Sequence, residues 1–285
     1  MTDYLVDTDW LEAHLDSPGV RVLECTTILR RGDDGRLHAA SGRDDWAESH
    51  IPGSVFADLP GDLSDRSVDL RFMMPPADQF AEAMSGYGVG EGTRAILYDR
   101  GAGMWAARIW WMLRAMGFEN AAILDGGWGK WTAEGRRTSS EATSYPAATF
   151  VARPRPELFA DREQVLAATS DGGTCIVNAL SAEQHRGEGV SPYGRSGRIA
   201  GSVNVPAGSL VDAETNAYLP LEELRERFAG VGATDADKVI TYCGGGIAAS
   251  NDAFILALLG VENVAIYDAS LSEWAVDESL PMETG

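Results

Sequence analysis

Cys243 stands directly after the apolar run "KVITY" and directly before Gly244, Gly245 and Gly246. A thiolate is a strong nucleophile toward sulfur and carbon, and what surrounds it decides whether it reacts. Three glycines without Cβ atoms let the backbone turn several amides toward one point. The next stretch, "IAASNDAFILALL", has apolar residues at helical spacing and ends at Gly260, a helix stop. The amides of residues 244–248 therefore lead into a helix N-terminus, whose unpaired N–H groups attract negative charge. The pattern predicts Cys243 as a nucleophile, with Gly244, Gly245, Gly246, Ile247 and Ala248 forming an amide cradle for a sulfur-borne or substrate anion. Cys25 and Cys175 lack such surroundings and are expected to be inert.

Two other chemistries share this signature. Gly244, Gly246 and Ala249 fit a dinucleotide fingerprint, and Asp268 ends the next β-rich run, where a ribose-binding acid belongs. Too little chain follows Asp268 to complete a nucleotide-binding half, however. A cysteine phosphatase needs an arginine at the far end of its loop to grip phosphate bidentately. Ala249 stands there, and the loop has no cation.

The elements that must position Cys243 occur twice. "ILYDRGAGMWAARIWWMLRAMGFENAAILDGGWGKW" (residues 96–131) and "ITYCGGGIAASNDAFILALLGVENVAIYDASLSEW" (residues 240–274) both read strand, Gly-rich turn, helix, glycine, strand, aspartate, turn, tryptophan. Gly117, Asp125 and Trp131 precede Gly260, Asp268 and Trp274 by one constant offset, and the first turn is one residue longer. Upstream, "SHIPGSVFADLP" pairs with "GRIAGSVNVPAG", each preceded by a helix-like and then a β-rich segment. The strand–helix alternation predicts an α/β fold of two homologous domains, each a mainly parallel sheet flanked by helices. We place them at residues 1–136 and 159–285, with residues 137–158, rich in Ser, Thr, Ala and Pro, as a linker.

Composition excludes several partners. The 285 residues carry 23 Lys+Arg against 43 Asp+Glu, a formal charge of −20, which disfavours nucleic acids and anionic membranes. No apolar run is long enough for a membrane span, and "MTDYLVDTDWLEAHL" does not read as a signal peptide. Three scattered cysteines without a CxxC pair suggest neither a disulfide framework nor a metal site. A cytoplasmic monomer without metal or organic cofactor is the expectation.

Together, "HIPGSVFADL", "DGGWGKW", "GRIAGSVNVP", "YCGGGIAAS" and "YDASLSEWA" make the chain resemble, over nearly its whole length, a tandem-domain rhodanese-like sulfurtransferase of the thiosulfate or 3-mercaptopyruvate type. The resemblance implies a second domain that carries sulfur on Cys243 as a persulfide and a first domain that does not, since Asp99 takes the cysteine's place. It implies a small anionic sulfur donor and a thiol or cyanide acceptor. A non-catalytic regulatory or binding module is the alternative. The chain departs from both types. The loop has no cations, the mercaptopyruvate-type loop serine is Gly245, and a first-domain histidine is replaced by Phe72, while the accompanying aspartate is present as Asp58. Arg186 and Arg195 are the candidates for binding the donor's anionic group, since the loop supplies no cation.

Overall fold

The computed structural model describes residues 4–32 and 37–285; residues 1–3, which open the N-terminal stretch read above, and residues 33–36 lie outside the described residues. The chain divides into two compact units. One comprises the described residues up to Ser67, Met74–Arg155 and Val211–Tyr218; the other comprises Val68–Met73, Pro156–Leu210 and Leu219–Gly285.

In the first unit the elements are β1 (Leu5–Val6), α1 (Thr8–His14), β2 (Val20–Glu24), β3 (Thr27–Arg31), β4 (Leu37–Ser41), α2 (Arg43–Glu48), β5 (Val55–Phe56), α3 (Ala77–Gly86), β6 (Arg94–Tyr98), α4 (Met104–Ala115), β7 (Ala121–Leu124) and α5 (Gly127–Ala133). In the second they are β8 (Phe159–Ala160), α6 (Arg162–Ala168), β9 (Thr174–Asn178), α7 (Ala182–Arg186), β10 (Arg198–Ile199), β11 (Val203–Asn204), α8 (Leu221–Ala229), β12 (Lys238–Tyr242), α9 (Ile247–Leu258), β13 (Val264–Tyr267), α10 (Ser270–Trp274) and β14 (Met282–Glu283).

Each unit is built on a five-stranded sheet, ordered β1-β7-β6-β2-β5 and β8-β13-β12-β9-β11, with every pairing parallel. The two orders match strand for strand. The central strands β6 ("RAILY") and β12 ("KVITY") are buried along nearly their whole length, because a parallel sheet covered on both faces needs continuous apolar runs. Helix starts are locally encoded. Asp7 accepts from the Trp10 amide, and Asp161 forms a capping box with Gln164. Trp131 and Trp274 are fully buried in their respective cores, and each indole donates to a carbonyl beyond its own helix, of Arg137 and Pro281. Truncating either to Ala costs about 3–5 kcal/mol by the usual measure for buried aromatics.

The repeated upstream motif has a shared task. Tyr98 ends β6, and its hydroxyl meets the Ile51 amide at 3.3 Å and the Ser54 hydroxyl at 3.1 Å. Tyr242 ends β12 and does the same with Ile199 at 2.9 Å and Ser202 at 2.8 Å. "HIPGS" and "RIAGS" thus anchor the residue that precedes each Gly-rich loop.

Residues 137–155 are built against the first unit. Ser139 bridges His50, the Tyr145 hydroxyl donates to the Gly53 carbonyl, Phe150 is buried beside Phe80 and Phe118, and the Arg153 amide donates to the Met116 carbonyl. Two aromatic anchors in a polar stretch make this segment a strap along that unit.

Candidate active site

Cys243 leaves β12 at the carboxyl end of the parallel sheet, where ligands bind in open α/β folds. It is buried at 3 % exposure. The chain turns through Gly244 and Gly245 and enters α9 at Gly246, whose φ of 80° lies in the left-handed region that favours glycine. Gly244 is constrained for another reason: a Cβ there would collide with the outer end of the Tyr193 ring, which would have to shift. Gly245 has room, since its nearest neighbour would be the Ser272 hydroxyl, at 3.7 Å.

The start of α10 holds this loop. The Ser270 hydroxyl accepts from the amides of Cys243 (3.0 Å) and Gly246 (3.3 Å) and donates to the Tyr267 carbonyl (2.7 Å). The Leu271 amide donates to the Cys243 carbonyl, and both the amide and the hydroxyl of Ser272 donate to the Gly244 carbonyl, at 3.0 and 2.6 Å. Ile247, Ala248 and Ala249 supply the first three amides of α9, which have no carbonyl one turn back within the helix.

The equivalent loop of the first unit is filled. Asp99 follows β6 and is buried at 1 % exposure. Its carboxylate accepts from Gly101 (2.8 Å), Gly103 (3.1 Å), Trp105 (2.9 Å) and Ala106 (3.0 Å). Those four amides oppose the upward push that burial gives this carboxyl. Gly103, like Gly246, is left-handed and opens a twelve-residue helix. This loop geometry therefore accommodates two anionic oxygens.

The other two thiols lie in surroundings that disfavour the thiolate. Burial pushes the Cys25 thiol well up, with Asp99 and Glu24 adding to it, and raises Cys175 as well. A thiol raised in this way stays protonated and unreactive near neutral pH.

The two candidate arginines are placed differently. Arg195 directs its guanidinium at four backbone carbonyls, of Ala275, Leu280, Trp274 and Asp277. It closes the end of α10 rather than offering a free fork to a substrate. Arg186 is exposed and pairs with Glu188 at 2.7 Å. A cleft beside the loop is lined by Leu180, Gln184, Glu188, Tyr193, Ser196 and Leu271, and by neither arginine. Asp58 lies in the first unit, where its carboxylate accepts from the Gly61 amide at 3.2 Å and faces Arg43 at 3.7 Å. Asp125 accepts from the Tyr218 amide at 2.8 Å. The structure thus gathers Cys243 and residues 244–248 in one turn and adds Tyr193, Ser270 and Ser272, which the sequence reading did not single out. The repeat contained one signal: Ser270 is the counterpart of Gly127, and both have positive φ, 52° and 50°.

Comparison with known proteins agrees with this geometry. The Rhodanese-like domain model matches residues 7–134 and again residues 161–277. A 3-mercaptopyruvate sulfurtransferase of Escherichia coli K12 is 34% identical over 284 residues, covering 99% of this chain and 98% of that protein. A thiosulfate sulfurtransferase of Rattus norvegicus is 30% identical over 279 residues, covering 95% and 91%. The crystal structure of SseA from Escherichia coli, described as a 3-mercaptopyruvate sulfotransferase, superposes with a TM-score of 0.82 at 32% identity, covering 94% of this chain and 98% of that one. With the family model spanning both halves and a relative aligned end to end, the chain belongs to the rhodanese-like family as a tandem pair of its domains.

Proposed function

We propose that this sulfurtransferase carries sulfane sulfur on Cys243, in a catalytic half comprising residues 159–285, and that residues 1–136 form a non-catalytic half. The observation that carries the reading is the pair of matched loops. In one, four amides close on the loop's own carboxylate; in the other, a cysteine stands at the same place and the amides of Gly244, Gly245, Ile247 and Ala248 are left, among the described residues, for a sulfur-borne charge.

In the first step the Cys243 thiolate attacks the outer sulfur of the donor. A sulfur–sulfur bond forms, the donor's bond to that sulfur breaks, and its electron pair leaves with sulfite or with an enolate that takes a proton to give pyruvate. In the second step a thiol or cyanide attacks the outer sulfur, and the thiolate of Cys243 is the leaving group. Amides fixed by the fold stabilise the charge on sulfur without reorganising, which is the most effective use of a dipole in catalysis. Gly244, Gly245, Gly246, Ile247 and Ala248 are the binding residues of this reading. Arg186 is its surface cation for an anionic donor, and Asp58 a candidate from the other half. All three cysteines are free thiols, which suits a reducing, cytoplasmic setting. Among the described residues no helix is long and apolar enough to cross a membrane.

Mass spectrometry tests the proposal. Incubation with thiosulfate or 3-mercaptopyruvate is expected to add one sulfur atom to the peptide containing Cys243, and cyanide is expected to remove it. Cys243→Ser should lose both the adduct and turnover. An adduct on Cys25 or Cys175, or none with any donor, overturns it and favours a non-catalytic module.

A further inference from the structure

We infer that the hydroxyls of Ser270 and Ser272 are positioning groups for sulfur transfer: they brace the Cys243 loop from behind, so that its amides face the sulfur. The inference rests on the Cys243 reading above and assigns a task to residues outside the loop.

The argument begins with the peptide plane. In a trans peptide the C=O of one residue and the N–H of the next point in opposite directions. The Leu271 amide holds the Cys243 carbonyl toward α10, so the Gly244 N–H points away from α10. The amide and hydroxyl of Ser272 hold the Gly244 carbonyl toward α10, so the Gly245 N–H points away as well. The Ser270 hydroxyl takes up the two amides that point back, those of Cys243 and Gly246. Three consecutive residues of α10 thereby fix four groups of the loop.

The first unit provides an internal control. There the Trp128 amide holds the Asp99 carbonyl, as Leu271 holds that of Cys243. But the Gly103 amide, counterpart of the Gly246 amide, is held by the Asp99 carboxylate from inside the loop. The residue behind that loop is Gly127, with no side chain; an added Cβ there would meet the Asp99 carbonyl at 2.5 Å. One loop is braced from within by a carboxylate and has glycine behind it. The other is braced from behind by a serine and is open within. A loop that must leave its interior to sulfur cannot use the first arrangement.

The backbone supports the same conclusion. Ser270 is fully buried with φ 52°, a conformation that disfavours a residue with a Cβ and that persists where surrounding bonds over-determine it. Glycine fits this backbone, as Gly127 shows, so the retained side chain points to the hydroxyl.

Two substitutions at Ser270 separate bracing from simple packing. Ser270→Gly installs the residue of the first unit and relieves the backbone. Ser270→Ala keeps the Cβ and removes only the oxygen. We expect Ser270→Gly to melt at or above the parent temperature, yet to lose about 10- to 100-fold in kcat, as supporting hydrogen bonds around a reactive centre typically do. Ser270→Ala should lose kcat to the same extent and melt lower, and Ser272→Ala should add to the loss. A Ser270→Gly protein with kcat within about twofold of the parent, measured while the parent forms the Cys243 persulfide, overturns the inference. If Ser270→Gly does not fold, Ser270→Ala decides by the same kcat criterion. A parent that takes up no sulfur fails the reading above instead, so the two failures are distinct.

Discussion

Asp99 and Cys243 occupy matched positions with opposite consequences. Four amides converge on the Asp99 carboxylate, two on each oxygen. Asp99→Ala is expected to cost about 2–4 kcal/mol, because buried donors lose their acceptor. Urea unfolding should show the loss as a lower midpoint, while the sulfur adduct on Cys243 persists; an unchanged midpoint would mean that water replaces the carboxylate at no cost. The glycines of the Cys243 loop are likewise unequal. Gly244→Ala drives a methyl group into the Tyr193 ring and should destabilise by about 1–3 kcal/mol, the usual cost of overpacking. Gly245→Ser meets only the Ser272 hydroxyl, at ordinary contact distance, and should leave the melting temperature nearly unchanged. Equal melting temperatures for the two variants would refute this distinction. The sequence shows that glycines free the backbone. Which of them is sterically constrained depends on Tyr193, fifty-one residues upstream, and local spacing does not reveal that.

Among elements, α9 combines two demands. Its first turn serves the loop, and its remainder is buried almost on every side, from Ala249 to Leu256. Asp252 sits within that stretch, fully buried, and neither carboxyl oxygen has a hydrogen-bond partner among the described residues. Burial pushes its carboxyl well above the ordinary range. In the unfolded chain it ionises near the usual value of about 3.9. Its contribution to stability is therefore fully present below that pH and is lost as pH rises through the raised folded value. Asp252→Asn removes this dependence. The variant should match the parent in strongly acidic buffer and become progressively more stable than it as pH rises, measured as urea midpoints across a pH series. A stability difference that does not change with pH would contradict the account. Most elements were legible beforehand, because strand runs, helix spacing and the constant offset are local or repeated features. Arg195 was not, since its carbonyl partners come from residues 274–280, far away in sequence. Nor was the strap of residues 137–155, whose polar composition conceals Tyr145 and Phe150 as anchors.

At the scale of the whole molecule, charge opposes the proposed substrate. The net charge of −20 repels an anionic donor, and no charged side chain lies between Cys243 and Ala248 to offset it. Arg195 is committed to backbone carbonyls and Arg186 to Glu188. A site that relies on amides has short-range attraction only, while the global field acts over a Debye length. That length contracts from about 30 Å at 0.01 M salt to about 8 Å at 0.15 M. Salt should therefore help rather than hinder. We expect kcat/KM for thiosulfate or 3-mercaptopyruvate to rise as potassium chloride is increased over this range. The second half-reaction with a neutral thiol, followed from preformed persulfide, should stay flat. An enzyme that gathers its donor through an arginine cluster would show the reverse, a fall in kcat/KM with salt. That outcome would give Arg186 or another cation the larger part in gathering the donor and refute the view that the loop's backbone amides receive most of its charge.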